Sequence, residues 1–255
     1  MKSDLLSVVL FAIGVIFGIA SLAGVPSKHL QTLLFVFFLV LLLTALFLSA
    51  TSRFGLISIY RTLQACSSLG IGRVYSKGKE HSASLMSKKI AAATELRIMS
   101  VSGQAIIKAH KAELVSALRD NAALIRVLVA EPHSQFVKDV EEAESANRRG
   151  QVSLEIEQVE ALLREYRAEA VASGQVQGRM GSVWMGHFTT HLRASLLVCD
   201  DKWCWYTPSL PPKRSVETFS LELVASPSGL LNDCISHFDT VWNLMKAAHR
   251  TRELQ

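Results

Sequence analysis

Hydrophobic positions fall into two regimes along the chain. Over residues 1–50 they run almost unbroken: Leu5 to Val25 and Leu30 to Ala50 are two apolar stretches separated by Pro26, Ser27, Lys28 and His29. Each reaches the roughly 20 residues a helix needs to cross ~30 Å of hydrocarbon. The pattern predicts two transmembrane helices, about 5–25 and 30–50, joined by a tight turn. A cleaved leader fits less well, because its apolar core holds only about 7–15 residues and its start is basic, whereas Asp4 stands near this one. Residues 51–80 are a mixed, basic juxtamembrane linker containing Gly55, Gly70, Gly72 and Gly78.

From residue 81 to 255 the periods alternate between those of helices and strands. Ser82–Ala93 has helical spacing, and Glu95–Val101 the short, partly alternating form of a strand. Gln104–Arg119 returns to helical spacing, with Ile106, Ile107, Leu114, Val115 and Leu118 on one face. Leu124–Ala130 is a nearly continuous apolar run, as expected of a buried parallel strand. Strand, helix and strand in this order make a βαβ unit. Two charged helices follow, His133–Arg149 and Ser153–Ala172, the second capped by Ser153 or its neighbour. Strands are then predicted at Gln177–Trp184, His191–Cys199, Lys202–Tyr206 and Thr218–Ala225, and a closing amphipathic helix at Gly229–His249. The fold class is α/β: an N-terminal transmembrane hairpin followed by one cytoplasmic α/β domain.

Composition sharpens this division. The 255 residues are 49% hydrophobic and 19% charged, below the usual quarter for a soluble domain. The deficit lies in the first fifty residues, where only Lys2, Asp4 and Lys28 are charged. A disordered chain and a disulfide scaffold are both excluded, the latter by having only four cysteines. Arg53, Arg61, Arg73, Lys77 and Lys79 follow the second apolar run, against Lys28 alone in the turn. By the positive-inside rule this predicts a multi-pass protein of the inner (plasma) membrane with both termini cytoplasmic, and hence reduced cysteines. The same basic residues either attract anionic lipid or serve as a topology signal alone. The expected partners are the bilayer and further copies of the chain, since Gly14 and Gly18 share one helical face. Neither apolar run holds an ionisable side chain, so the hairpin is an anchor or assembly element and not a transport path. A net charge of about +4 on residues 51–255, spread among acids, is too mild to argue for nucleic-acid binding.

Candidate chemistry gathers at strand ends, where α/β sheets meet their ligands. Ser102-Gly103 closes the first strand, and its small residues suit either an anion at a helix start or an ordinary turn. Glu131 closes the second strand and either contacts a ligand or caps the next helix. In His191-Leu-Arg193-Ala-Ser195 the three named residues share one strand face. Arginine offers a planar fork of donors to phosphate, and histidine a charge or a nucleophile. Lys213 and Arg214 follow the prolines Pro208, Pro211 and Pro212 in the next loop. His187 and His191 lack a third metal ligand, and there is neither a Gly-x4-Gly-Lys loop nor a Gly-x-Ser-x-Gly elbow. No metal or cofactor is expected.

The βαβ start, the strand ending Leu196-Leu-Val-Cys-Asp200-Asp201-Lys-Trp203, the Thr207-Pro-Ser-Leu-Pro211 loop and the closing helix together resemble one repeat of the phospholipase D-like superfamily, over approximately residues 82–248. Catalytic members carry His-x-Lys-x4-Asp, whose histidine attacks phosphorus, and two such motifs build one site. Here the motif is broken. With Asp200 in the aspartate position, Arg193 stands where the histidine belongs and Ser195 where the lysine belongs. With His191 as nucleophile, the aspartate falls two positions too far. The first register keeps the strand intact and implies a phosphate pocket without turnover, formed by Arg193, Ser195, Asp200, Lys213, Arg214, Ser102, Gly103 and Glu131. The resemblance implies a membrane-anchored sensor or effector in a regulatory or stress and defence role, binding a phosphorylated ligand such as a nucleotide. The alternatives are an active phosphodiesterase or phospholipase using His191, and a structural membrane protein without a small ligand.

Overall fold

A computed structural model describes residues 61–76, 83–144, 149–174, 180–190, 192, 194–209, 218–227 and 229–254, together with residues 36, 39 and 40. The chain divides into two compact units, Met1–Ala65 and Cys66–Gln255. Among the described residues no helix is long and apolar enough to cross a membrane. This overturns the expected placement as a multi-pass inner-membrane protein with both termini cytoplasmic. The long described helices are amphipathic: the longest, Gln151–Ala172, carries Glu157, Glu160 and Arg164. The spans predicted at 5–25 and 30–50 otherwise lie outside the described residues.

Among its described residues the second unit has eight strands: β1 (Ile71–Tyr75), β2 (Glu95–Met99), β3 (Leu124–Ala130), β4 (Ser182–Phe188), β5 (Ala194–Cys199), β6 (Trp203–Pro208), β7 (Ser220–Val224) and β8 (Thr251–Glu253). Its helices are α1 (Ala83–Ala92), α2 (Gln104–Ala109), α3 (Lys111–Asp120), α4 (Gln135–Glu144), α5 (Gln151–Ala172) and α6 (Leu230–Ala247). The strands form one mixed sheet in the order β1-β7-β6-β5-β2-β3-β4-β8. Only β2, β3 and β4 run parallel to one another; the other pairings are antiparallel.

Alternation along the strands sorts side chains to two helix layers. Leu96, Ile98, Ile125 and Val127, all fully buried, alternate with Arg97 and Arg126 and so occupy the other face of the sheet from them. The opposite face meets α6, whose Asp239 accepts from Arg97 Nε at 3.3 Å and Arg126 Nη1 at 3.1 Å. Arg97 is also paired with Asp201 and, at 3.3 Å, with Glu95. The Arg126 guanidinium lies 5.5 Å from the Phe238 ring and 5.7 Å from that of Trp242. These contacts hold buried Arg97 and half-buried Arg126 without leaving their charges unpaired.

Several boundaries differ from the sequence expectation. The helix predicted over Gln104–Arg119 is two, α2 and α3, because His110 leaves helical geometry at φ −121°. β1 lies within what reads as linker, and β8 follows the closing helix; both are short edge strands with little apolar alternation. The strand predicted at Gln177–Trp184 begins later, at Ser182, and continues through Gly186. A Cβ there would stand 3.0 Å from both Leu128 Cδ2 and Thr251 Cγ2, so close packing of neighbours calls for glycine inside the strand. Ser153 does not cap α5. It is buried within the helix, and its hydroxyl accepts from His133 N at 3.2 Å. The start of α5 is instead held by Glu141 from α4, which accepts from Gly150 N at 2.8 Å, Val152 N at 2.9 Å and Ser153 N at 3.3 Å.

Candidate functional site

Strand order reverses between β2 and β5: the chain passes β2, β3 and β4 in one direction and then returns to the other side of β2. In α/β sheets such a switch point opens a crevice beyond the carboxyl ends of the strands. Ser100 follows the last residue of β2, and Ser195 stands near the start of the antiparallel β5, so both lie at this end of the sheet. Their hydroxyls are 3.2 Å apart.

The register continues the polarity across two further strands. Ser195 is the Cα partner of Thr207 on β6, and the Thr207 hydroxyl lies 2.9 Å from that of Ser220 on β7. Ser220 in turn pairs with Tyr75 on β1. Ser100, Ser195, Thr207 and Ser220 therefore form a row of hydroxyls across four adjacent strands, with Ser100 and Ser195 half-buried and Thr207 and Ser220 buried. One register step further in, the row becomes apolar, with Ile98, Leu197 and Trp205, and ends at Glu222. Glu222 receives Trp203 Nε1 at 3.0 Å and the Tyr75 hydroxyl at 3.3 Å, so that carboxylate is already engaged.

Chemically the row supplies hydroxyl donors and acceptors and no charged group. Hydroxyls of this kind can accept and donate around an anion and fix its orientation.

The other expected site residues separate into groups. His191, Arg193, Lys213 and Arg214 lie outside the described residues. Gly103 is left-handed at φ 71°, which is reason enough for glycine, and the helix that follows has only six residues. Ser102 is half-buried in the same turn. Glu131 lies beyond β3 in a separate cleft with His187, while Ser134, not Glu131, receives Val137 N at 3.3 Å and caps α4.

Asp200 belongs to a different part of the molecule from Ser195, at the far end of β5. Asp200 and Asp201 have φ of 51° and 54°, and Lys202 N donates to Cys199 O at 3.1 Å. This is a tight hairpin with both central residues left-handed, a turn that favours aspartate. Asp200 Oδ1 accepts Thr94 N, Thr94 Oγ1 and Glu95 N, each at 2.8 Å, and so ties the hairpin to the start of β2. Asp200, expected as a ligand contact, thus has a structural tie through Oδ1. Thr207 and Ser220 were missed by sequence reasoning. The Thr207-Pro208 pair that ends β6 was the available signal for the first, and nothing local marks the second.

No protein-family model matches the chain, and no curated protein does. Among solved structures, the chain is similar to TrmBL2, an archaeal chromatin protein, at 8% identity with a TM-score of 0.37, over 76% of this chain and 63% of that one. The present chain thus spans less than two thirds of that protein. It is also similar to Nuc, a phospholipase D family member from Salmonella typhimurium, at 15% identity with a TM-score of 0.39, over 71% of this chain and 95% of that one.

Proposed function

We propose that the second unit is a phospholipase D-like domain that holds a phosphorylated ligand and does not hydrolyse it. The observation that carries this reading is the hydroxyl row at the β2–β5 switch point, in which Ser195 lies 3.2 Å from Ser100. Ser195 takes the position of the motif lysine, so a neutral hydroxyl replaces the charge that would meet a reacting phosphate. Arg193, two positions earlier in the sequence, is assigned the bidentate phosphate contact, aided by Lys213 or Arg214. An arginine in the nucleophile position does not attack phosphorus. Binding without turnover suits a sensor or effector better than a metabolic step.

The test is a titration of the full-length protein with inorganic phosphate, a nucleotide series and phospholipid headgroups, with phosphodiester hydrolysis followed in parallel. Arg193→Ala is expected to weaken the tightest binder about ten- to hundredfold, through loss of a charge-assisted contact of roughly 1.5–3 kcal/mol. Arg193→Lys is expected to recover part of that loss. His191→Ala is expected to leave binding within a few fold and to remove no activity. Hydrolysis that disappears with His191→Ala would make the protein an enzyme and refute the reading, as would indifference of every compound to Arg193→Ala.

A further inference from the structure

The outer edge of the sheet carries a second concavity, a cleft of about 370 Å³ between α5 and β8. That volume is at the small end of ligand pockets. It opens beyond the carboxyl ends of β3 and β4, with Glu131 just after one and His187 near the end of the other. On the sheet, Val129 separates it from the hydroxyl row: His187 pairs with Val129, and a Cβ on Gly103 would lie 3.6 Å from Val129 Cγ1. The two places are therefore distinct.

The charges of the cleft are divided unevenly between used and unused groups. Arg252 is paired with Glu160, which also holds Arg164 at 3.1 Å. Glu157 lies 3.3 Å from the His133 ring. Among the described residues, the Glu131 carboxylate and the Arg250 guanidinium have no side-chain hydrogen bond or ion pair, although both act electrostatically on the His187 imidazole, which also lines the cleft. Burial lowers the pKa of that imidazole, so near neutral pH it adds a neutral donor and acceptor and leaves the charge balance unchanged. The apolar part of the wall is the half-buried Pro132. An unused anion and an unused cation facing a small, partly apolar cleft complement one kind of molecule, a compact zwitterion.

We infer that this cleft binds a free amino acid or a molecule of that class, its ammonium on Glu131, its carboxylate on Arg250 and its side chain toward Pro132. The inference is independent of the phosphate reading and uses none of its residues. The experiment titrates the full chain with the twenty free amino acids, then with the amide and the desamino acid of the best binder. Arg250→Gln and Glu131→Gln are compared with Ser195→Ala as a control. The expected result is saturable binding by at least one amino acid, weakened roughly tenfold or more by amidation, by removal of the amine and by either cleft substitution, because each leaves one charge unpaired. Ser195→Ala is expected to change it less than twofold. No binding by any of the twenty, or equal binding of the acid and its amide, would overturn the inference. Thermal melting of the two cleft variants separates loss of binding from loss of fold.

Discussion

Asp200 shows how one side chain can mimic a motif while doing other work. In the sequence it ends an apolar run in the place of a catalytic aspartate; in the structure its Oδ1 gathers three donors, two from the backbone of β2 and its approach. It is also left-handed at φ 51°, a conformation aspartate tolerates better than alanine. Asp200→Ala is therefore expected to destabilise the domain by about 2–3 kcal/mol, from lost charge-assisted hydrogen bonds and backbone strain. Asp200→Asn, which keeps one acceptor and the turn preference, is expected to cost less than half as much. Urea unfolding of both variants checks this order, and equal costs would contradict it. The polar strand face of Ser195 was legible in the sequence, because alternation alone sets it opposite Leu196. Its partners were not: Ser100, Thr207 and Ser220 come from three other strands, and only pairing across the sheet puts their hydroxyls in one line.

At the scale of elements, period and length decided what could be read. Leu124–Ala130 and the helix at 230–247 were legible because a buried parallel strand and a long amphipathic helix have distinctive patterns. β1 and β8 were not, since an edge strand of five or three residues carries too little alternation to distinguish it from a loop. The cap of α5 was hidden for another reason: local rules point to a hydroxyl at the helix start, whereas the acceptor is Glu141, on the preceding helix. Its carboxylate is buried and takes three N–H groups of residues 150–153, giving α5 its start and fixing α4 against it. Glu141→Ala is expected to cost about 2–4 kcal/mol, more than a typical exposed cap, because the donors it leaves behind include buried ones. Hydrogen exchange should show the first turn of α5 losing protection before its centre; uniform loss along the helix would argue against this role.

For the molecule as a whole, the α/β class and its βαβ opening were legible from alternating periods, and the described structure is a mixed sheet between helices. The membrane placement was not sustained, since no described helix is long and apolar enough to span a bilayer. The topology adds what no linear motif contains, a reversal of strand order between β2 and β5 that places Ser100 beside Ser195. The proposal that this place holds a phosphodiester without breaking it is the central claim, and phosphorus-31 NMR of the full-length protein with the tightest phosphodiester ligand reads both halves of it at once. The account predicts saturable broadening of the ligand resonance, loss of that broadening with Arg193→Ala, and no product resonance on long incubation. A product resonance that grows with time and vanishes with His191→Ala would contradict it.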